Sequence, residues 1–486
     1  MSLKQKTITG LIWSFIDSIA GQGITFIVGI VLARLLSPKE FGLIGMLTIF
    51  IAISQSFIDS GFRQALIRKQ NCIDADYSTV FYFNIVVSIL FYIILFISAP
   101  FISAFFNESI LKNLIKALGL GLIINSFSII QSTLLTKRID FKLQAKISVI
   151  ASLVSGIISI SMAISGWGVW SLVALTLVKS TINSILLWLW SKWKPILIFS
   201  KKSFTELFSF GSKLLISGLI DTIYRNVYYL VIGRYFSAIE LGYYTQADQF
   251  QSLPSSNLTG IIGKVSYPVL SSIQDDKLQL KITYKRIIRS TMLITFVLML
   301  GLVAIARPLI ITLIGEKWEP SIVYLQMLCF TGMFYPLHAI NLNMLQVQGR
   351  SDLFLRLEII KKTLAIPIIV VGVIWGIKAM IGGMIVISLI AYYLNSYWSG
   401  RFIGYSFKEQ IKDILPSFML AIIMSFFVFF VGLLLPLSPL PLLIIQIITG
   451  ALLTFGICEF LHFKDYLYIK EIIFNKLKTI NFGKNK

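Results

Sequence analysis

Two stretches of this 486-residue chain match each other: ARLLSPKEFG at residues 33–42 and GRYFSAIELG at residues 233–242. Each copy closes a long apolar run, and the arginine, serine, glutamate and final glycine keep the same spacing without a gap. Two halves that repeat in this way are expected to share one fold, and internal repeats in a membrane protein are typical of transporters. The sequence therefore predicts a duplication.

The composition places the chain in a membrane. Hydrophobic residues make up 56% of it, charged residues only 13%, and the mean hydropathy is +0.84. Too few charges remain to cover a water-facing surface. Apolar stretches of about 20 residues, enough to cross roughly 30 Å of hydrocarbon as helices, recur from Leu11 to His462. We therefore expect an all-α integral membrane protein without a separate soluble domain.

The cysteines and histidines argue against a metal or redox centre. Cys72, Cys329 and Cys458 show no metal-binding or redox spacing, and His338 and His462 are the only histidines. Neither a nucleotide-binding glycine loop nor a catalytic constellation is present, so we expect no cofactor and no enzyme activity. The net charge is +21, but the basic residues are distributed by side of the membrane, so the charge does not indicate a nucleic-acid partner.

Apolar runs between charged or Gly/Pro breaks predict about fourteen transmembrane helices. The first run, from about Thr9 to Leu36, is too long for a signal-peptide core and is expected to remain as the first helix. The predicted spans are 9–34, 41–59, 79–100, 113–135, 146–165, 169–190, 209–236, 241–264, 288–306, 321–347, 359–376, 379–398, 411–435 and 440–462.

Two of these spans carry many polar residues. Residues 243–258 of the eighth span are too polar to face lipid, but its counterpart in the repeat is expected to cross the membrane. We therefore expect the eighth span to cross as well, buried among helices where its polar groups find partners. In the tenth span, one polar face is expected to serve helix packing; it consists of His338, Asn341, Asn343, Gln346 and Gln348.

The basic residues give an independent check on these spans, because short basic loops stay in the cytoplasm. About 31 of the 43 lysine and arginine residues fall on the side of the amino terminus, about 8 on the other side and about 4 within spans. This count places the run from Lys277 to Arg289 in a cytoplasmic loop. Both halves then begin inside, which predicts a parallel repeat, a pseudo-twofold axis along the membrane normal and two cytoplasmic termini.

The repeat and the loops predict four parts of the chain. Residues 1–195 form an amino-terminal six-helix bundle and residues 196–405 a second, parallel six-helix bundle. Residues 406–464 add two transmembrane helices that lie outside the duplication, and residues 465–486 form a basic cytoplasmic tail.

The strongest candidate site lies in the seventh span. Asp221 and Arg225 are four residues apart on one helix face, about halfway through the span. One interpretation is a self-neutralising pair that lets the helix tolerate burial. The other is that Arg225 binds an anion in a water-filled cavity while Asp221 tunes it or carries a proton, because a guanidinium matches two phosphate oxygens and stays charged.

Three further ionisable groups within predicted spans are candidate site residues, because a charge there is costly unless it faces a cavity or a partner. Lys179 has no charged neighbour in sequence and either lines a cavity or has a tertiary partner. Asp17, which the repeat aligns with Ser217, is a candidate coupling carboxylate. Asp248 either faces a cavity or makes hydrogen bonds between helices.

Several short motifs resemble one known family. LGYY at residues 241–244, LP at 253–254 and YPVLS at 267–271 are similar to the pattern of bacterial polysaccharide biosynthesis flippases. These proteins belong to the multidrug/oligosaccharidyl-lipid/polysaccharide exporter superfamily, and LLSPKEFG at residues 35–42 resembles the same family. The resemblance covers about residues 1–400 and does not identify a substrate or any single binding residue.

The resemblance implies a flippase that moves polyprenyl-pyrophosphate-linked oligosaccharide across the cytoplasmic membrane by alternating access of two helix bundles around a cationic cavity. Membrane lipids, a polysaccharide polymerase and chain-length proteins are the candidate partners. Arg225 and Lys179 would then bind the pyrophosphate or acidic sugars, and Asp17, Asp221 or Asp248 would couple transport to an ion gradient. The alternatives are a drug/cation antiporter of the same superfamily and, from another class, a membrane-embedded polysaccharide polymerase or ligase.

Overall fold

A computed structural model describes residues 21–471, and throughout that range the regular elements are helices. Sixteen α-helices, α2 to α17, and a short 3-10 helix at Glu316–Trp318 are described in full, whereas α1 is described from Gly21 and α18 from Lys464 to the end of the described range. They are α1 (Gly21–Leu35), α2 (Pro38–Asp59), α3 (Phe62–Arg68), α4 (Asp74–Phe106), α5 (Leu111–Ser126), α6 (Ile129–Lys137), α7 (Phe141–Ile164), α8 (Trp170–Ser191), α9 (Lys201–Tyr235), α10 (Ala238–Ser271), α11 (Lys277–Ile314), α12 (Ser321–Gly332), α13 (Tyr335–Val347), α14 (Ser351–Trp375), α15 (Ile377–Ile403), α16 (Phe407–Leu434) and α17 (Pro439–Phe460).

Part of the predicted membrane architecture is confirmed. Among residues 21–471, ten helical segments are long and apolar enough to cross a membrane, and an eleventh is added when α5 and α6 count as one span. Every predicted span after the first coincides with a helix or a pair of helices. The total of about fourteen and the side on which the termini lie stay predictions.

Two predicted spans are broken in the middle. Span 113–135 consists of α5 and α6, which meet at a bend of 43°, and span 321–347 consists of α12 and α13. The breaks lie at residues 127–128 and 333–334. At the first break the indole Nε1 of Trp188 donates a hydrogen bond of 2.9 Å to the carbonyl oxygen of Phe127. A backbone carbonyl at the interruption is thereby satisfied by a side chain of the protein.

The basic run from Lys277 to Arg289, expected in a loop, is helical and forms the first part of α11. Asp276 caps it by accepting hydrogen bonds from the backbone N–H groups of Leu278 and Gln279 at 3.1 and 3.0 Å. Lys285 pairs with Glu409 of α16 at 2.6 Å. The predicted start of the span at residue 288 was therefore wrong, because hydropathy marks where a span leaves the lipid, whereas capping and ion pairs determine where the helix begins. The cytoplasmic side expected for this run stays a prediction.

The chain divides into two compact units, Met1–Thr245 and Gln246–Lys486. In the first unit α2 packs against α4, α5 and α9, and α7 packs along α8. In the second unit α11 packs against α12, α16 and α17, and α14 packs along α15. The predicted domain boundaries were drawn from the sequence repeat, whereas these two units are defined by packing. The predicted boundaries therefore stay predictions.

The repeated motif begins a helix in both copies. At the start of α2 the backbone N–H of Ser37 donates a 2.6 Å hydrogen bond to Glu40 Oε2, and Pro38 occupies the first turn. At the start of α10 the backbone N–H of Glu240 donates a 3.1 Å hydrogen bond to Ser237 Oγ. The shared motif therefore caps a helix in both copies, through the Glu40 side chain in the first and the Ser237 hydroxyl in the second.

The two copies of the motif also contact each other within the first unit. A Cβ atom at Gly42 would overlap the carbonyl oxygen of Ala238, and a Cβ atom at Gly242 would overlap the carbonyl oxygen of Pro38. The contact is therefore reciprocal, and each glycine lets the backbone of the other copy approach its own. The glycine that ends both motifs is required by this packing.

The second unit contains a fully buried polar network. The hydroxyl of Tyr284 in α11 donates a hydrogen bond of 2.7 Å to Asn341 Oδ1 in α13, and the hydroxyl of Ser399 in α15 donates one of 2.6 Å to the same oxygen. His338 Nε2 lies 3.1 Å from Ser388 Oγ, and Asn343 Nδ2 donates to Ser266 Oγ at 2.8 Å. The expected packing role of the polar face of the tenth span is confirmed for these residues.

We expect Gly42→Ala and Gly242→Ala to lower the thermal unfolding temperature of the purified protein by several degrees. Each added methyl group would meet a backbone carbonyl that cannot rotate away, and overpacking typically costs about 1–3 kcal/mol. Gly218→Ala in α9 is the matched control, because a Cβ atom there meets nothing within 4 Å. Equal unfolding temperatures for all three variants in detergent would contradict the reciprocal contact.

Candidate functional site

Asp221 and Arg225 form an ion pair on α9. Arg225 Nε lies 2.9 Å from Asp221 Oδ2. The side chain of Arg225 is 76% exposed and that of Asp221 is 46% exposed. Protein packing therefore does not bury the pair, which weakens the interpretation that it only neutralises a charge inside the protein. A guanidinium has five N–H donors, and the contact with Asp221 uses Nε, so the group retains the capacity to bind an anion.

Lys179 has a tertiary partner in the first unit. Its Nζ atom donates a hydrogen bond of 2.8 Å to Thr25 Oγ1, which joins α8 to α1. Thr25 Oγ1 in turn donates to the carbonyl oxygen of Gly21 at 2.8 Å and lies 3.5 Å from Ser152 Oγ of α7. The lysine is half-buried. Its ammonium group is therefore anchored by a hydroxyl group that belongs to a different helix.

The remaining candidates are less defined. Asp17 lies outside the described residues. Asp248 is half-buried on α10 in the second unit. The roles proposed for both carboxylates stay predictions.

The polar helix α10 is buried as expected in its middle. Gln251 and Ser255 are almost fully buried, and Gln251 Nε2 donates a hydrogen bond of 2.9 Å to Ser255 Oγ. The Gln251 carboxamide occupies the space that a Cβ atom at Gly332 would need, next to the break between α12 and α13. The polar residues of α10 therefore pack against this break in the second unit.

A cluster of charges lies at one end of the first unit. Lys69 is the residue that follows α3. Its Nζ atom lies 3.1 Å from Asp76 Oδ2 at the start of α4 and 3.0 Å from Glu206 Oε2 near the start of α9. Burial lowers the pKa of Lys69, but its hydrogen bonds to Glu206 and Asp76 outweigh this effect and raise the pKa above the usual lysine value. Lys69 therefore stays charged and links three helices.

The sequence did not indicate the role of Thr25. Its partner Lys179 lies far away in the chain, and a threonine within an apolar run is usually a packing residue. A signal was available in the repeat, because Thr25 occupies the position of Arg225. Among residues 21–471, no group of three or more His, Cys, Asp or Glu side chains is arranged to hold a metal ion.

Comparisons with known proteins give consistent relatives. A family model described as "Polysaccharide biosynthesis protein" matches residues 31–323. The lipopolysaccharide biosynthesis protein WzxC of Escherichia coli (strain K12) is 26% identical over 429 residues, which cover 87% of each chain. The teichuronic acid biosynthesis protein TuaB of Bacillus subtilis (strain 168) is 24% identical over 355 residues, which cover 72% of this chain and 73% of TuaB.

Solved structures share the fold. The lipid II flippase MurJ in an inward closed conformation aligns with a TM-score of 0.75 and 16% identity, covering 96% of this chain and 100% of MurJ. An inward-facing multidrug resistance transporter of the MATE family aligns with a TM-score of 0.62 and 14% identity, covering 80% of this chain and 98% of that one. The fold is therefore that of MurJ and the MATE transporters.

The exposure of Arg225 predicts that a cysteine at this position reacts with a membrane-impermeant maleimide, because maleimides react with hydrated thiols. The native cysteines Cys72, Cys329 and Cys458 are first replaced. Ile216→Cys is the matched control: Ile216 is 61% exposed, and nine residues along a helix place it on the opposite face of α9. A rate at position 225 no greater than that at position 216 would contradict a water-filled site at Arg225.

Proposed function

Because the chain belongs to the polysaccharide biosynthesis protein family, we propose that it is a flippase for polyprenyl-pyrophosphate-linked oligosaccharide repeat units. It moves these units across the bacterial cytoplasmic membrane by alternating access, and the product is used for O-antigen, capsule or exopolysaccharide. The transporter fold shared with MurJ and the relatives named for lipopolysaccharide and teichuronic acid biosynthesis support this proposal. It is a transporter rather than an enzyme and uses no cofactor.

The observation that carries the proposal is the exposed guanidinium of Arg225 in a predicted membrane span. A cation in a span is costly unless it faces water or binds an anion, and its side chain is 76% exposed despite the partner Asp221. The pyrophosphate of a lipid-linked sugar supplies oxygens that a guanidinium binds in pairs. Lys179 supplies a second cation in the same unit.

The membrane arrangement in this proposal is the one that the basic residues favour. About fourteen helices cross the cytoplasmic membrane, both termini lie in the cytoplasm, and the basic loops stay on that side. Asp17, Asp221 and Asp248 are the candidate coupling carboxylates for a proton or sodium gradient. A polysaccharide polymerase and chain-length proteins receive the translocated units.

One other function has a specific observation in its favour. Multidrug transporters of the MATE family share the fold, and a drug/cation antiporter would use acidic groups such as Asp221 to bind a cation. Among the described candidate residues of the first unit, two carry a positive charge, Arg225 and Lys179, and one, Asp221, carries a negative charge. This charge balance favours an anionic substrate.

We expect the double variant Lys179→Gln/Arg225→Gln to abolish surface polysaccharide in cells that contain normal amounts of the protein. Both cations would be lost while the side chains keep similar volume and hydrogen-bonding capacity. The control is Lys408→Gln/Lys412→Gln, which removes two exposed charges outside the candidate site. Undiminished polysaccharide in the first double variant, measured by immunoblot of whole cells, would contradict the anion-binding role.

Deletion of the gene is expected to strand the lipid-linked oligosaccharide on the cytoplasmic face of the membrane. Protection of the accumulated sugar from added glycosidase in spheroplasts measures this sidedness. Repeat units that reach the outer face but stay unlinked would favour a polymerase or ligase. Increased drug sensitivity with intact polysaccharide would favour the antiporter.

A further inference from the structure

Thr25 can hold the side chain of Lys179 in one position. Its hydroxyl proton is donated to the carbonyl oxygen of Gly21, so the oxygen is left to accept the hydrogen bond from Lys179 Nζ at 2.8 Å. The hydroxyl of Ser152, which is buried on α7, lies 3.5 Å from the same oxygen. Groups from three helices of the first unit, α1, α7 and α8, therefore meet at Thr25 Oγ1, which accepts from the Lys179 ammonium group.

The repeat relates this point to Arg225. Thr25 precedes Arg34 by nine residues in α1, and Arg225 precedes Arg234 by nine residues in α9. The motifs that follow are in reciprocal backbone contact at Gly42 and Gly242, so the two helices end at a common level. Nine residues of helix correspond to about 14 Å, which is close to half of the roughly 30 Å thickness of the hydrocarbon.

We propose that Thr25, supported by Ser152, is a positioning residue that holds the Lys179 ammonium group at the level where the second repeat carries the Arg225 guanidinium. Each repeat then contributes one cation at this depth. In the second repeat the cation is Arg225 itself, and in the first it is Lys179 of α8, which is held by its hydrogen bond to Thr25 of α1. The inference rests on the proposed function, because the cations are positioned for the anionic part of the transported lipid. A lysine side chain is long and flexible, so an anchor of this kind decides where its charge lies.

Variants of Thr25 and Lys179 separate the effect of their hydrogen bond from the effect of the lysine charge. Thr25→Val keeps the shape and the cation but removes the acceptor, and we expect export of polysaccharide to fall roughly tenfold, as for the loss of a hydrogen bond to a charged group. Thr25→Ser restores the acceptor and is expected to export normally. Lys179→Gln keeps a donor for Thr25 and loses the charge, and we expect it to export as poorly as Thr25→Val.

If the Thr25–Lys179 hydrogen bond only held α1 and α8 together, the variants would behave differently. Thr25→Val would then lower the unfolding temperature and the amount of protein in the membrane, while Lys179→Gln would export normally. All variants are therefore compared at equal membrane levels, with Thr25→Ala as a second removal of the acceptor. The exchange Thr25→Lys/Lys179→Thr is expected to export better than Lys179→Thr alone, because the cation returns to the same place from the other helix.

The outcomes distinguish this inference from the proposed function. Normal export by Thr25→Val and Thr25→Ala, with lost export in Lys179→Gln/Arg225→Gln, would overturn the positioning role and leave the flippase assignment intact. Normal export by Lys179→Gln/Arg225→Gln would overturn the anion-binding role and this inference with it.

Discussion

The reciprocal contact between the two copies of the repeated motif is the constraint on which the first unit depends. Because Gly42 and Gly242 have no side chains, the backbones of α2 and α10 meet at their first turns. The helices that precede them, α1 and α9, must then end at the same level. Positions that are equivalent in sequence therefore become equivalent in depth, which makes it meaningful to compare Thr25 with Arg225.

Two kinds of polar group stand out among the described residues. One kind is buried and hydrogen-bonded to other side chains, as in the Tyr284–Asn341–Ser399 network and the Gln251–Ser255 pair. An unsatisfied polar group is expensive away from water, so these partners are needed wherever a helix is both polar and enclosed. Asp221 and Arg225 are different, since they are paired but open to their surroundings.

The positions of the helices could be predicted from the sequence because crossing a membrane requires length and hydrophobicity, which are local properties. The break between α5 and α6 could not, since both parts are apolar and the partner of the exposed carbonyl, Trp188, lies far along the chain. The helical start of α11 was missed for a similar reason, because it is held by capping and ion pairs with α16. Arg225 is singled out by its charge and position in the sequence, and its role stays a prediction, whereas the anchoring of Lys179 by Thr25 is visible only in the fold.

The paired glycines also bear on how the two halves of a duplicated gene can diverge. A substitution at residue 42 is opposed by the backbone of residue 238, and one at residue 242 by that of residue 38, so the two copies restrain each other's drift at this point. Residues 25 and 225 hold equivalent places before the two motifs but differ, as threonine and arginine. The two copies therefore agree where their backbones touch, and they differ at the two positions for which different roles are proposed.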